Sequence, residues 1–407
     1  MSYLIKKLTV IITILILSST PVIIPVVGYE SSIKLITTKK SNLFEKLLFD
    51  RIINFSMNLG RIPSLSACIV KNDEVIWAKG YGFYDIEQKK HTSINISYMI
   101  ASISKTITAT AIMQLYEQGR FHLDENINNY LPFNVSNPHH PDVNITFRML
   151  LAHTSSLADE PDYYHGIDYS KDPDPMEEWI KDYFYENDEL NPSAWREECP
   201  GERYHYNSID YCLIGYIIEQ ITKKSFNEYC KENIFIPLDM SKTSFLLSEM
   251  DLDTLAKPYL LEDGKIFSKY YFPLEHYSWR MYPGGNMMAS VDDLSHFLIA
   301  YMNGGVYDGV RILNESTVDL MQTIQTPNKD YGIHYGLGFH IWRNIFGKKT
   351  YVGHLGALYG FDTRMKFRVS DGTGIIYYIN RNINRESRGK IAHQIIERSL
   401  FKLADKL

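Results

Sequence analysis

A serine three residues ahead of a lysine occurs at four places in this chain: Ser31/Lys34, Ser102/Lys105, Ser387/Lys390 and Ser399/Lys402. On a helix, the third residue on rises about 4.5 Å and returns to nearly the same face, so the spacing sets an amine beside a hydroxyl. A serine hydroxyl is a weak nucleophile until a base activates it, and covalent acyl transfer is the chemistry such a pair can do. The same spacing also arises from a helix N-cap followed by an ordinary lysine. Surroundings separate the four. Ser387 and Ser399 lie by a C-terminal helix with no apolar pocket suggested, and Ser31 lies in an unpatterned stretch. Only Ser102 opens a long apolar segment, "ASISKTITATAIMQLYEQG". A helix start there adds a positive dipole end and free N–H groups for an oxyanion.

Other chemistry is poorly supported. His139 and His140 in "NPHHPD" lack any His-x-His-x-Asp or His-Glu-x-x-His companion, so a loop is expected there and no metal. Cys68, Cys199, Cys212 and Cys230 form no Cys-x-x-Cys pair, and no cofactor is expected.

The elements that must hold Ser102 can be read from periodicity. "SNLFEKLLFDRIINFSMNLG" repeats apolar residues at helical spacing and stops at Gly60. "SLSACIVKNDEVIWAKGYGFYD" splits around a polar turn into a β-hairpin. Ala101 to Gly119 predicts a buried helix with Gly119 as its C-cap. A middle of loops and helices, including "SIDYCLIGYIIEQIT" and "SFNEYCKENIF", follows. Three strand-like runs, "TYVGHLGALYG", "FDTRMKFRVSDG" and "TGIIYYINRN", precede a last helix over about 388–404. The expected fold is α+β: an antiparallel sheet from N- and C-terminal segments flanked by helices, with a mostly helical insert. The expected organisation is 41–115 plus 276–407 as the sheet domain and 116–275 as the insert, together one catalytic unit.

The totals agree with a globular enzyme. At 407 residues there is room for a deep core, and 45% hydrophobic and 22% charged residues are ordinary for a soluble globular domain. The 30 tyrosines are many. A net charge of -6 with no basic stripe gives nucleic acid no electrostatic footprint. At the N-terminus, two lysines, an apolar run and small residues over 1–28 follow the plan of a signal peptide, with a membrane anchor as the alternative. Either reading places the enzyme outside the cytoplasm, secreted or membrane-anchored, where one or two disulfides would be permitted.

Several segments together carry a resemblance: "IPSLSACIVKNDEVIWAKGYGF", "MIASISKTITATAIMQLYEQG", "ITFRMLLAHTSSL", "PGERYHYNSIDYCLIGYIIEQIT", "YPGGNMMASVDDLSHFLIAYMNGG", "YGLGF" and "VGHLGALYGFDTRM". Their types and order, over about 41–400, resemble the serine β-lactamase-like family, which includes class C β-lactamases, D-alanyl-D-alanine carboxypeptidases, D-aminopeptidases and esterases. The resemblance implies Ser102 as acylated nucleophile, Lys105 as its helical partner, Tyr206 as proton shuttle and His354 as the start of a His-x-Gly strand. It further implies that Gly356 admits substrate against that strand and that the Ala357 and Ser102 N–H groups form the oxyanion hole. His334-Tyr335-Gly336 fits His-x-Gly too, but reads as a core strand, and His153 in "LLAHTSSL" reads as a structural contact near the site.

This sequence departs from the family in two places. Ser208 stands third in the Tyr-x-Asn element, and Leu355 and His354 stand where β-lactam-acting relatives carry Thr and Lys. Ser208 puts a shorter hydroxyl where the resemblance implies an amide that holds the substrate's acyl side chain, and the Leu355 and His354 changes remove groups for a substrate carboxylate; Arg364 is the candidate replacement there, or else a surface strand arginine. The implied function is an exported serine hydrolase acting on an ester, a D-amino acid type peptide or amide, or a β-lactam-like bond. The alternative is a binding or assembly protein that keeps the fold without turnover. The expected partner is a small-molecule or peptide substrate.

Overall fold

The computed structural model describes residues 43–159, 167–169, 171–186, 189–263, 269–326, 334–343, 350–384 and 386–407. The expected signal peptide or membrane anchor, 1–28, lies outside the described residues. Among the described residues, no helix is long and apolar enough to cross a membrane.

Helix α1 (Leu43–Gly60) leads into a hairpin of β1 (Ser64–Lys71) and β2 (Glu74–Asp85). Asn72 and Asp73 join them with φ of 52° and 61°. Two left-handed residues in a row match the twist of antiparallel strands, and Asn and Asp tolerate that region best after glycine. After the short β3 (Lys90–His91) the chain leaves the sheet and returns only at β4 (His334–Tyr335), β5 (His340–Arg343), β6 (Thr350–Leu358), β7 (Phe361–Arg368) and β8 (Thr373–Ile379). The eight strands run in the order β4-β5-β6-β7-β8-β1-β2-β3, and every pairing is antiparallel. The fold is thus the mixed α/β architecture that the sequence predicts, with one large open sheet flanked by helices.

Side-chain alternation divides that sheet into two cores. Leu65, Ala67 and Ile69 of β1 and Ile375, Tyr377 and Ile379 of β8 pack under α1 and the C-terminal helix. Their neighbours Cys68, Val70, Ile376 and Tyr378 face the larger core on the other side. The second core surrounds α2 (Ser104–Glu117), buried at every position from Ser104 to Met113. The buried polar groups of α2 find partners inside: the Thr108 hydroxyl donates to the Pro283 carbonyl at 2.6 Å, and the Thr110 hydroxyl meets that of Tyr301 at 2.7 Å. Against α2 lie α3 (Ile209–Thr222) and the short helix Tyr282–Gly285, while α4 (Val291–Met302) packs on β1 and β8. The chain closes with α5 (Ser387–Ala404), packed along α1.

The permitted disulfides do not form. All four cysteines are free thiols, with Cys68 on β1, Cys212 on α3 and Cys230 at the end of the helix Phe226–Cys230 buried in the larger core. Burial pushes these three thiols above their ordinary range, which leaves them inert hydrophobic residues.

Candidate active site

Ser102 sits not in the helix but in a 3-10 turn, Ala101–Ile103, just ahead of α2. Ala101 is held at φ 52°, the left-handed region that costs a residue with a Cβ. The surroundings over-determine this conformation. The Ser104 hydroxyl donates to the Ala101 carbonyl at 2.6 Å and accepts from the Met287 N–H at 3.0 Å. Ile100 is fixed from both sides: its N–H donates to the Met287 carbonyl at 2.8 Å, and its carbonyl accepts from the Thr363 hydroxyl at 2.7 Å. In consequence Ser102 is the single residue between Ile96 and Met113 that is not buried.

Lys105 is fully buried, and its ammonium reaches three oxygens: Ser102 Oγ at 3.2 Å, Ser208 Oγ at 3.2 Å and the Gly284 carbonyl at 2.7 Å. Three elements therefore converge on one nitrogen: α2, the start of α3, and the turn of helix Tyr282–Gly285. Ser208 is placed at the N-cap of α3, where its N–H and that of Ile209 donate to Asp159 Oδ1 at 2.7 and 3.1 Å. A carboxylate at that helix end satisfies two of the orphan donors. The Tyr206 ring lies beside the same nitrogen, its centroid 4.9 Å from Lys105 Nζ, and Tyr211 closes the other side at 5.7 Å.

Strand β6 forms the opposite wall. A Cβ at Gly356 would stand 2.2 Å from the Ile100 carbonyl and 2.2 Å from Thr363 Oγ1, so only glycine lets this strand lie against the turn that carries Ser102. Ala357 follows, exposed. His354 is fully buried, and both ring nitrogens are occupied: Nδ1 by the Leu355 carbonyl at 2.7 Å and Nε2 by the Tyr335 hydroxyl at 2.9 Å. That pairing makes Nδ1 the donor and Nε2 the acceptor of a neutral ring. Burial, with the nearby His340 and Lys105, keeps the imidazole well below its ordinary range.

The family model for beta-lactamase matches residues 49–399. The chain belongs to the beta-lactamase family. Protein flp of Staphylococcus aureus (strain N315) is 29% identical over 335 residues, 82% of this chain and 62% of its own length, so this chain spans about three fifths of that relative. The octameric penicillin-binding protein homologue of Pyrococcus abyssi superposes with a TM-score of 0.70 at 24% identity over 88% of this chain and 76% of its own. The D-amino acid amidase of Ochrobactrum anthropi SV3 gives 0.67 at 21% identity over 89% and 99%. The two structures establish the β-lactamase and penicillin-binding fold, and the family is one of serine hydrolases.

Set against that family, one sequence-based candidate falls outside the site. Arg364 does not face Ser102. On β7 the odd residues Phe361, Met365 and Phe367 enter the core behind the site, whereas Asp362, Arg364, Lys366 and Arg368 point the other way. There Arg364 is buried against Asp362, with Nη1 on the Thr363 carbonyl at 2.9 Å and Nη2 on Asn384 Oδ1 at 2.6 Å. The period of two along a strand decides its side, and Thr363 takes the site-facing place. His334 lies beyond it at the sheet edge, and its neighbour Tyr335 is the residue that reaches His354.

His153 is the structural contact near the site that the sequence predicts, and it belongs to an aromatic and imidazole shell around Tyr206 whose other members, among them Tyr211, Tyr335 and His340, sequence reasoning missed. His153 lies 4.5 Å from the Tyr206 ring, 5.1 Å from Tyr211 and 4.8 Å from Tyr335, centroid to centroid. Its Nδ1 meets Asp210 Oδ2 at 3.1 Å, and Asp210 is also bonded by Ser155 at 2.5 Å and Asn207 at 2.8 Å. Burial disfavours charge on both partners, pushing the Asp210 carboxyl up and the His153 imidazole down. A lone aspartate inside the apolar run "SIDYCLIGYIIEQIT" was the available signal for this pair. His340 and Tyr335 had none, because register rather than local pattern brings them in. The tyrosine excess is accounted for in part here, with Tyr204, Tyr206, Tyr211 and Tyr335 in one shell.

Proposed function

We propose that the chain is a serine acyl hydrolase that forms a covalent acyl-enzyme at Ser102 and acts on an ester, or on an amide of D-amino acid type, that carries no free carboxylate at the cleaved end. The observation that carries the reading is the trio of oxygens around Lys105 Nζ, with the nucleophile one of them. As an ammonium, Lys105 donates to all three. As an amine it donates to Gly284 and Ser208 and accepts from the Ser102 hydroxyl, so neither state leaves a buried polar atom unpaired. Lys105 can thus take the Ser102 proton as Oγ attacks the acyl carbon, with Tyr206 passing a proton to the departing alcohol or amine. The N–H groups of Ser102 and Ala357 receive the oxyanion. Water then cleaves the acyl-serine bond and restores the hydroxyl.

The substrate class is argued from charge. None of the three positions weighed for a carboxylate presents a cation: Arg364 lies on the far face, His354 is held neutral, and Leu355 is apolar. The amidase among the fold relatives acts, by its description, on D-amino acid amides, which lack that carboxylate. The N-terminal segment would deliver the enzyme outside the cytoplasm, secreted or held at a membrane, and mass analysis of the N-terminus from fractionated cells tests this.

A fluorophosphonate probe tests the enzyme reading: labelling of the wild type that disappears in Ser102→Ala is expected. No labelling, or equal labelling of both, returns the chain to the binding or assembly alternative. Esters, D-amino acid amides and nitrocefin run side by side should show nitrocefin slowest; if it is fastest, the substrate class is wrong.

A further inference from the structure

Tyr206 is the first ring of a stack that ends on a second lysine. Its ring lies 5.9 Å from that of His340 at an interplanar angle of 19°, and His340 lies 5.3 Å from Trp342 at 26°. Lys105 Nζ caps one end at 4.9 Å from the Tyr206 centroid, and Lys366 Nζ caps the other at 4.4 Å from the Trp342 centroid. His340 is also met edgewise by Tyr335 at 4.7 Å and, tilted at 53°, by His354 at 4.7 Å. Register puts it there: His340 of β5 stands opposite Gly353 of β6, which has no side chain to compete for the space. Burial and the two flanking ammonium groups push the imidazole down to about 3, so the central ring is neutral and can stack without repelling either lysine.

We propose that His340 is a positioning residue for Tyr206, holding the phenol ring over Lys105 in the attitude from which its hydroxyl serves acyl transfer at Ser102. This rests on the serine hydrolase reading given above. Tyr206 approaches the site from the loop before α3 and is only half-buried; the rings of His153 and His354 meet it obliquely, at 47° and 42°, whereas His340 lies near-parallel to it at 19° and so sets the plane of the phenol. The stack acts on geometry and not on substrate contact. Its loss therefore shows in the maximal rate of acylation and not in the half-saturating concentration.

The test is a double-mutant cycle on the full chain, read as the rate of hydrolysis of an uncharged alkyl ester, whose departing alkoxide needs a proton, against ester concentration, with circular dichroism confirming that each variant folds. His340→Leu should lower the maximal rate roughly three- to tenfold, the worth of one aromatic pair, at unchanged half-saturation. His340→Phe, which keeps the stack, should return to within about twofold of wild type by the same reasoning. In a Tyr206→Phe background, already slow, His340→Leu should cost nothing further. Equal losses in both backgrounds, a wild-type rate for His340→Leu, or no rescue by Phe would overturn the proposal. A wild-type rate for Tyr206→Phe itself would instead overturn the proton-shuttle role on which it rests.

Discussion

A lysine enclosed by three oxygens can change charge without stranding any of them, and this singles Lys105 out among the buried cations. Arg364 is tied to a carboxylate and Arg381 to the Gly60 carbonyl and Glu386, bonds that only a permanent cation makes well. If Lys105 served as a fixed positive charge, arginine would replace it in part; as a proton acceptor it has no such substitute. Lys105→Arg and Lys105→Ala should therefore both lower kcat/KM by about 10²- to 10⁴-fold, the usual worth of a positioned base. The measurement is ester hydrolysis by variants whose secondary structure matches wild type. An arginine variant that kept more than about a tenth of the activity would assign Lys105 an electrostatic role alone.

At the scale of elements, two strands divide the labour between chemistry and cohesion. Strand β6 must lie flush on the Ala101–Ile103 turn, because Gly356 sits where a methyl would meet a backbone carbonyl and a hydroxyl at 2.2 Å. Gly356→Ala should thus displace β6, lower stability by about 1–3 kcal/mol as overpacking does, and lose activity beyond that cost. Strand β7, by contrast, sends its charged residues to α5: Lys366 reaches Glu397 at 2.8 Å, Arg368 reaches Asp405 at 2.5 Å, and Asp362 holds His393 at 2.8 Å as well as Arg364. Removing Arg364 leaves the fully buried Asp362 short of its cation, a change that typically costs about 3–5 kcal/mol. Arg364→Ala is accordingly expected to lower the denaturant midpoint sharply while leaving KM for an uncharged ester unchanged. A raised KM with intact stability would restore the arginine to the substrate site.

Across the whole molecule, what the sequence reveals is what is encoded locally. The Asn72-Asp73 turn, the helix closing before Gly119 and the Ser102/Lys105 spacing are each settled within a few residues, and the order of segments identifies the family. The side of the sheet on which Arg364 lies, the meeting of His340 with Tyr206 and the free state of the four cysteines depend on register and packing between segments far apart in the chain. One global property follows from that hidden packing. Burial and the neighbouring lysines keep His340 neutral in the folded protein down to about pH 3, but in the unfolded chain it titrates near the ordinary histidine value of 6.5. The folded pKa is the lower one, so below pH 6.5 the unfolded state binds a proton that the folded state does not. The stability this residue contributes is complete above 6.5 and is lost progressively as pH falls towards 3. His153 and His354, also held below their ordinary range by burial, act in the same direction, and the raised carboxyl of Asp210 acts against them. His340→Phe removes the titration and keeps the ring. Between about pH 7.5 and about pH 5, wild type should lose about 2 kcal/mol of unfolding free energy that the variant retains, at about 1.4 kcal/mol per pH unit below 6.5. Urea unfolding of both proteins across that range measures it directly, and parallel curves would mean that His340 is charged in the folded protein, leaving a cation in the middle of the stack.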